Sequence, residues 1–415
     1  MSRDGPQQET ETAPAGTPDA AAGDVRPDAA ATAGDDLARR VEGRTGALRI
    51  TGLRGASRAV VVAELALSEP TRPVLVLCAD AKATDAFVAD LRAALGEPPE
   101  GEEGRVRPFP HPDTPPYDRF SPQPFVVAQR MDVLHRLATR AETPDEPAPV
   151  VVAPWTALAL RVPSREAVRA RSLRLRRGEE IDRDALIARL VAAGYARQPL
   201  VEERGEIAVR GGIVDVFPPQ RARPVRIELL GDEVESLRAF DPASQRSEAP
   251  LDELVAPPAR ELLADRELVV ARVDALRALA ARQGVPRASV DLLVDQLLRG
   301  ALPPGAEALA PLLQPATESF LDTLPDGALV VVDEPETGRT RLERFDAEAR
   351  EAWDAAREAG RLASPPDALL VRADAVEAAV EARRPVLLER LAMEASGAAR
   401  ALHTHGHEEL TLRLR

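Results

Sequence analysis

The sequence predicts an α/β protein in which a parallel sheet with helices on both faces is interrupted by an inserted α+β unit. Three observations lead there. Short β-type runs alternate with helical patterns from about residue 37 to about residue 163, the signature of βαβ units. Aromatic residues make up only 3 % of the chain, so Leu, Val, Ile and Ala must fill the interior, which favours helices packed on parallel strands. An apolar run of parallel-sheet type, ALVVVDEP, then returns at 328–335, as it would if the first domain resumed after the interruption.

Taken in order, residues 1–36 are rich in Ala, Pro, Gly, Asp and Thr without an apolar period and are expected to form a disordered tail. Residues 37–163 form the first part of the sheet domain: ALRIT leads into a helix around AVVVAELAL, and PVLVLCAD into a helix around TDAFVADLRAAL. A Pro-rich loop, RPFPHPDTPPYDRFSPQP, precedes a helix with Val127, Met131, Leu134 and Ala138 on one face, and the strand PVVVAPW follows. Residues 164–258 change character. Asp182 suits the N-cap of a helix whose buried stripe is Leu186, Ile187, Leu190 and Val191 and which ends at Gly194. Three β-type runs follow, EIAVR, GIVDVF and VRIELL, and Gly231-Asp232 turns the last into EVESLRAFD as a hairpin. Residues 259–385 turn helical and then resume the sheet domain. Residues 386–415 form a C-terminal segment without a clear pattern.

Composition bounds the function. The 415 residues are enough for two or three domains, and 44 % hydrophobic with 29 % charged residues is an ordinary soluble balance. A formal net charge of −14 argues against a chain that coats nucleic acid by itself. The basic run RSLRLRRG, with Arg165 and Arg169 before it, reads as a solvated charged edge with nucleic-acid contact as the alternative. Cys78 is the single cysteine, which excludes a disulfide framework and suits a reducing compartment. No signal peptide and no apolar stretch near the ~18–20 residues of a membrane span are visible, so a cytoplasmic protein without membrane contact is expected. His403, His405 and His407 lack a structural metal-ligand pattern, and no metal site is expected.

Two remnants of nucleotide chemistry stand at the ends of predicted strands. The first strand runs into Gly52-Leu53-Arg54-Gly55-Ala56-Ser57-Arg58-Ala59 and then a helix, the context of a phosphate-binding loop of the form GxxxxGK[ST]. Here Ser57 adds a Cβ where backbone must approach phosphate, Arg58 replaces the compact ammonium, and Ala59 cannot hold magnesium. The alternative is an ordinary glycine-containing turn between strand and helix. The late strand ends in Asp333-Glu334, where an active enzyme of this kind holds magnesium and orients water. Together they suggest a degenerate RecA-like P-loop domain without a functioning centre.

The most specific signal is residues 194–247, GYARQPLVEERGEIAVRGGIVDVFPPQRARPVRIELLGDEVESLRAFDPASQRS. In VRIELL, period-two alternation puts Val225, Ile227 and Leu229 toward a core and Arg226, Glu228 and Leu230 toward the other side, where a guanidinium and an apolar anchor can meet a partner. The stretch resembles the domain shared by the UvrB and transcription-repair coupling factor families, which binds the damage-recognition ATPase UvrA. Where UvrB has an intact GKT and an aromatic-rich insertion, this chain has GLRGASRA and PHPDTPPYDRFSPQP, both of which look like the coupling factor. The resemblance runs from about residue 37 to about 385. It implies that Arg210, Arg226 and Leu230 occupy UvrA-contacting positions, with Leu230 where an aromatic can occur; surface ion pairing is the alternative role for the two arginines.

The resemblance implies an adaptor that recruits UvrA for nucleotide excision repair, without ATP hydrolysis and with no cofactor. RNA polymerase and DNA are expected to be met through a polymerase-binding domain and a translocase, whose GKT loop and DExH box do not occur in this sequence. The rival reading is an ATP-dependent helicase-like enzyme, with ATP and Mg²⁺ bound and Arg58 in place of Lys. A decayed scaffold is the third.

Overall fold

The computed structural model describes residues 37–98, 104–264, 266–314, 316–390 and 400–401. The tail 1–36 and the His403–His407 cluster lie outside the described residues. Seven strands pair in parallel in the order Arg400–Ala401, Leu48–Thr51, Val386–Glu389, Leu329–Asp333, Val74–Cys78, Val150–Pro154, Val106–Pro108. The central strands are apolar along their whole length because both faces are covered. Leu75, Leu77, Val151 and Val330 face a core with Phe109, Met131 and Trp155. Their neighbours Val74, Val76, Val150 and Val331 face the opposite core, which helices Ser57–Ser68 and Ala81–Leu95 close. The α/β reading, a parallel sheet with helices on both faces and an inserted mixed sheet, holds.

One central strand had no counterpart in the sequence reading. Val386–Glu389, at the start of the segment read as a C-terminal remainder, lies between Leu48–Thr51 and Leu329–Asp333, with Val386 in register with both Leu48 and Val331. Four residues behind Arg384-Pro385 carry too little periodicity to reveal a strand.

The helices begin and end where local chemistry directs. The Asp80 carboxylate accepts from the Ala83 N–H at 2.8 Å to cap Ala81–Leu95, which stops at Gly96 with φ 68°. Pro335 occupies the first turn of the long helix Pro335–Glu358, which runs straight off the strand ending at Asp333. Gly338 lets this helix lie against Trp155, since a Cβ there would sit 2.1 Å from the indole Cδ1. Helices Arg266–Gln283 and Arg287–Leu298 pack with it around Leu276, Val290, Leu313 and Ala349. No helix among the described residues is long and apolar enough to cross a membrane.

The inserted unit leaves and rejoins the host chain through a strand pair, Leu173–Arg176 antiparallel to Glu253–Ala256. Beyond it stands a six-stranded sheet in the order Ser247–Leu251, Glu233–Phe240, Val225–Leu230, Ile213–Val216, Glu206–Arg210, Ala196–Arg197, antiparallel except for the last pair. One face carries Ile207, Val214, Val216, Val225, Ile227 and Leu237 against helix Arg183–Ala192. Asp182 caps that helix by accepting from the Ala185 N–H at 2.7 Å. Its buried stripe is Leu186 and Leu190, with Ile187 half-buried. Val191, expected in the stripe, is exposed; the ~100° step from Leu190 carries it off the contact line. Gly231, with φ 65°, takes the positive torsion that the two-residue turn between Leu230 and Glu233 requires.

Candidate functional site

In open parallel sheets, ligands are met at the carboxyl ends of the strands. There the loop Gly52–Ala56 follows Thr51, and Asp333 ends the strand two places away. Gly52 and Gly55 have φ values of 81° and 52°, which glycine adopts freely. The loop is nevertheless filled by its own side chains. The Ser57 hydroxyl accepts from the Arg54 N–H at 2.8 Å and donates to the Arg54 carbonyl at 2.7 Å, so one backbone donor of the loop is already taken.

Arg58 reaches across to Asp333, its Nη1 lying 2.5 Å from both carboxylate oxygens. The two side chains are 14 % and 4 % exposed. Burial pushes the Asp333 carboxyl above the usual carboxylate range while the Arg58 guanidinium pulls it back. The cation that would meet phosphate and the anion that would hold magnesium are thus spent on each other. Ala59 is buried in the core and brings only a methyl group. Glu334, at φ 50°, pairs with Arg390 at 3.1 Å. All seven residues named from the sequence as a nucleotide remnant converge at this end of the sheet, in an arrangement closed by its own ion pairs. Among the described residues, no cluster of acidic, His or Cys side chains is arranged to hold a metal ion. Cys78 is buried and unpaired by any disulfide, and burial pushes its thiol up, away from reactivity.

The second candidate is the face of the inserted sheet turned away from its helix. Strand register sets its rows: Ala208, Asp215, Arg226, Arg238 and Pro250 stand side by side on five strands. Asp215 is fully buried, and two guanidiniums converge on it. Arg226 donates from Nε to Oδ1 at 2.8 Å and from Nη2 to Oδ2 at 3.0 Å. Arg210 donates from Nη2 to Oδ2 at 2.5 Å. The Arg226 guanidinium lies 4.7 Å from the centroid of the Phe240 ring and donates to the Gln245 carbonyl at 3.3 Å. Its hydrogen bonds to Asp215 hold it protonated more firmly than a free arginine, against the opposing effect of burial. Phe240 belongs to a small apolar cluster with Val201, Ala208 and Phe217 on this side of the sheet.

Leu230 projects at the hairpin tip, 69 % exposed. Of the side of VRIELL expected to face the core, Val225 and Ile227 are fully buried and Leu229 packs half-buried against the same core, while on the other side Arg226 and Glu228 are half-buried and Leu230 is exposed. Asp215 was missed. In IVDV it occupies the polar half of the alternation and reads as solvent-facing, and its partners lie five and eleven residues away on neighbouring strands. Two positive residues flanking a mid-strand acid was the one available signal. The basic run fares differently. Leu173 and Leu175 are buried, while Arg174 and Arg176 both pair with Glu253 at 2.7 and 2.8 Å. Arg169 pairs with Glu142 at 3.0 Å. Arg169 and Arg174 border a cavity of about 1270 Å³ that Glu142, Glu146 and Glu166 also line.

Comparison with known proteins adds to this geometry. Residues 173–262 match the family model described as the UvrB interaction domain, which covers the inserted sheet and its rejoining strand. The chain is 35 % identical over 293 residues to the transcription-repair-coupling factor of Myxococcus xanthus, 69 % of this chain and 24 % of that protein. It is 36 % identical over 288 residues to that of Mycobacterium tuberculosis, 68 % of this chain and 23 % of that protein. With that of Escherichia coli, identity is 31 % over 240 residues, 57 % and 20 % of the two chains. The matched part spans about a quarter or less of these relatives' length.

Proposed function

We propose that this chain, which carries a UvrB interaction domain and is homologous to the transcription-repair-coupling factors over 69 % of its length, is a UvrA-recruiting adaptor module of transcription-coupled nucleotide excision repair, working in the cytoplasm. The observation that carries the proposal is the outer face of the inserted sheet. There Arg210 and Arg226 are held on one buried carboxylate, and an exposed leucine stands at the hairpin tip of the same strand as Arg226. A partner with an acidic patch and a small apolar recess complements it, and Arg with an apolar anchor is a common pairing at interface hot spots. RNA polymerase and DNA are met through other domains of the coupling machinery.

On this reading the RecA-like domain is a support rather than a motor. The Arg58–Asp333 pair and the Ser57 hydroxyl occupy the positions from which phosphate and magnesium would be held, and no nucleotide is turned over.

Titration calorimetry of the purified chain against UvrA at moderate salt tests the proposal. The expected result is an affinity in the micromolar range or tighter, as for a transient interface of standard size, lost in the Arg210→Ala/Arg226→Ala variant. A double variant that binds as wild type would sink the site assignment. Magnesium-dependent ATP turnover that vanishes on Asp333→Ala would instead establish the enzyme reading.

A further inference from the structure

A carboxylate in the middle of a strand, with no exposed surface, is costly unless it is paired and hydrogen-bonded. Asp215 is paired twice over. Both of its oxygens accept from Arg226, and one also accepts from Arg210. The two arginines are not equivalent. A guanidinium has five N–H donors. Arg226 commits three of them, to Oδ1, Oδ2 and the Gln245 carbonyl, and is only 13 % exposed. Arg210 commits one and is 43 % exposed. One carboxylate cannot neutralise two guanidiniums, so the group keeps a net positive charge. Arg238 stands opposite Arg226 on the next strand and is exposed, which adds a second. Glu228 shares a cross-strand row with Arg210 through Ile213 and is half-exposed on the same face, so the surface is mixed in charge, with the positive excess confined to the arginine cluster, whose central cation is fixed.

We infer that Asp215 is the positioning residue of this surface: it holds the Arg210 and Arg226 guanidiniums in place for an acidic patch on the partner and does not itself touch the partner. The inference rests on the reading of this face as the UvrA contact. Its physical content is pre-organisation. Long arginine side chains lose rotamer freedom when they dock, and a buried anchor removes that cost before the encounter. Phe240 beneath the Arg226 guanidinium fixes its plane, and the Asp215 oxygens fix its rotation within that plane.

Asp215→Asn separates positioning from charge, because the two predict opposite signs. The substitution keeps both arginines and makes the face one unit more positive, which by itself tightens binding to an acidic partner. If Asp215 positions them, affinity for UvrA instead falls about tenfold or more, comparably to Arg226→Ala, and the double variant is scarcely worse than either single one. An Asp215→Asn chain that melts as wild type and binds UvrA equally well or more tightly overturns the inference. A second measurement needs no variant: in the free wild-type chain, NMR is expected to show the Arg226 Nε–H protected from hydrogen exchange, whereas exchange at the rate of free arginine also overturns it. Should wild type fail to bind UvrA, or Arg226→Ala bind unchanged, the parent reading falls and this inference with it; binding that depends on Arg226 but not on Asp215 removes the inference alone.

Discussion

At the scale of single residues, the chain spends charge on itself where a working phosphate-binding loop would spend it on a ligand. Arg58 and Asp333 are both largely withdrawn from water, and a pair in that condition contributes little net stability, yet removing one member leaves the other stranded. Asp333→Ala is therefore expected to cost about 3 kcal/mol in urea unfolding, while a joint Arg58→Met/Asp333→Leu replacement costs much less. His135 supplies a pH dependence. It is buried beside Ser172 Oγ, 3.1 Å from Nδ1, and burial lowers its pKa to about 4. A histidine depressed in the folded state takes up its proton first in the unfolded chain. Stability is then intact above the ordinary histidine value of about 6.5 and is lost as pH falls from there toward 4, by at most about 3 kcal/mol. Unfolding free energies of wild type and His135→Gln should converge across that window as pH is lowered; parallel curves would refute the assignment.

At the scale of elements, what the sequence declared was what repeats locally. The hairpin Val225–Leu230 with Glu233–Phe240 follows from alternation and a Gly-Asp turn, and the Asp182-capped helix from a cap and a stripe. What stayed hidden depends on residues far apart. The Arg58–Asp333 pair joins positions 275 residues apart, and Val386–Glu389 is a strand only because it is clasped on both sides. The Asp215 hub needs three strands in register before it exists. Gly338 belongs here as well. In a helix it looks like a weak point, worth about 1 kcal/mol against Ala, but its missing Cβ is the room taken by the Trp155 indole. Gly338→Ala is accordingly expected to destabilise by about 1–3 kcal/mol despite the gain in helix propensity, read as a lowered Tm; a raised Tm would show that the contact yields.

At the scale of the whole molecule, the RecA-like sheet is closed by a strand from near its last described segment. A chain ending at residue 385 loses Val386–Glu389, which pairs with both the Leu48–Thr51 and Leu329–Asp333 strands, and exposes two central strand edges at once. Such a truncation is expected to lose cooperative thermal unfolding and near-ultraviolet dichroism; a sharp native-like transition would show the sheet can reclose without it. The inserted unit presents the opposite case. Its first and last strands lie side by side, Leu173 facing Ala256 and Arg176 facing Glu253, so the host chain departs and returns at a single doorway. A module with such a threshold is transplantable: it can be carried from one host to another by a cut at two adjacent points, and neither the guest's surface nor the host's path need be redrawn to accept it.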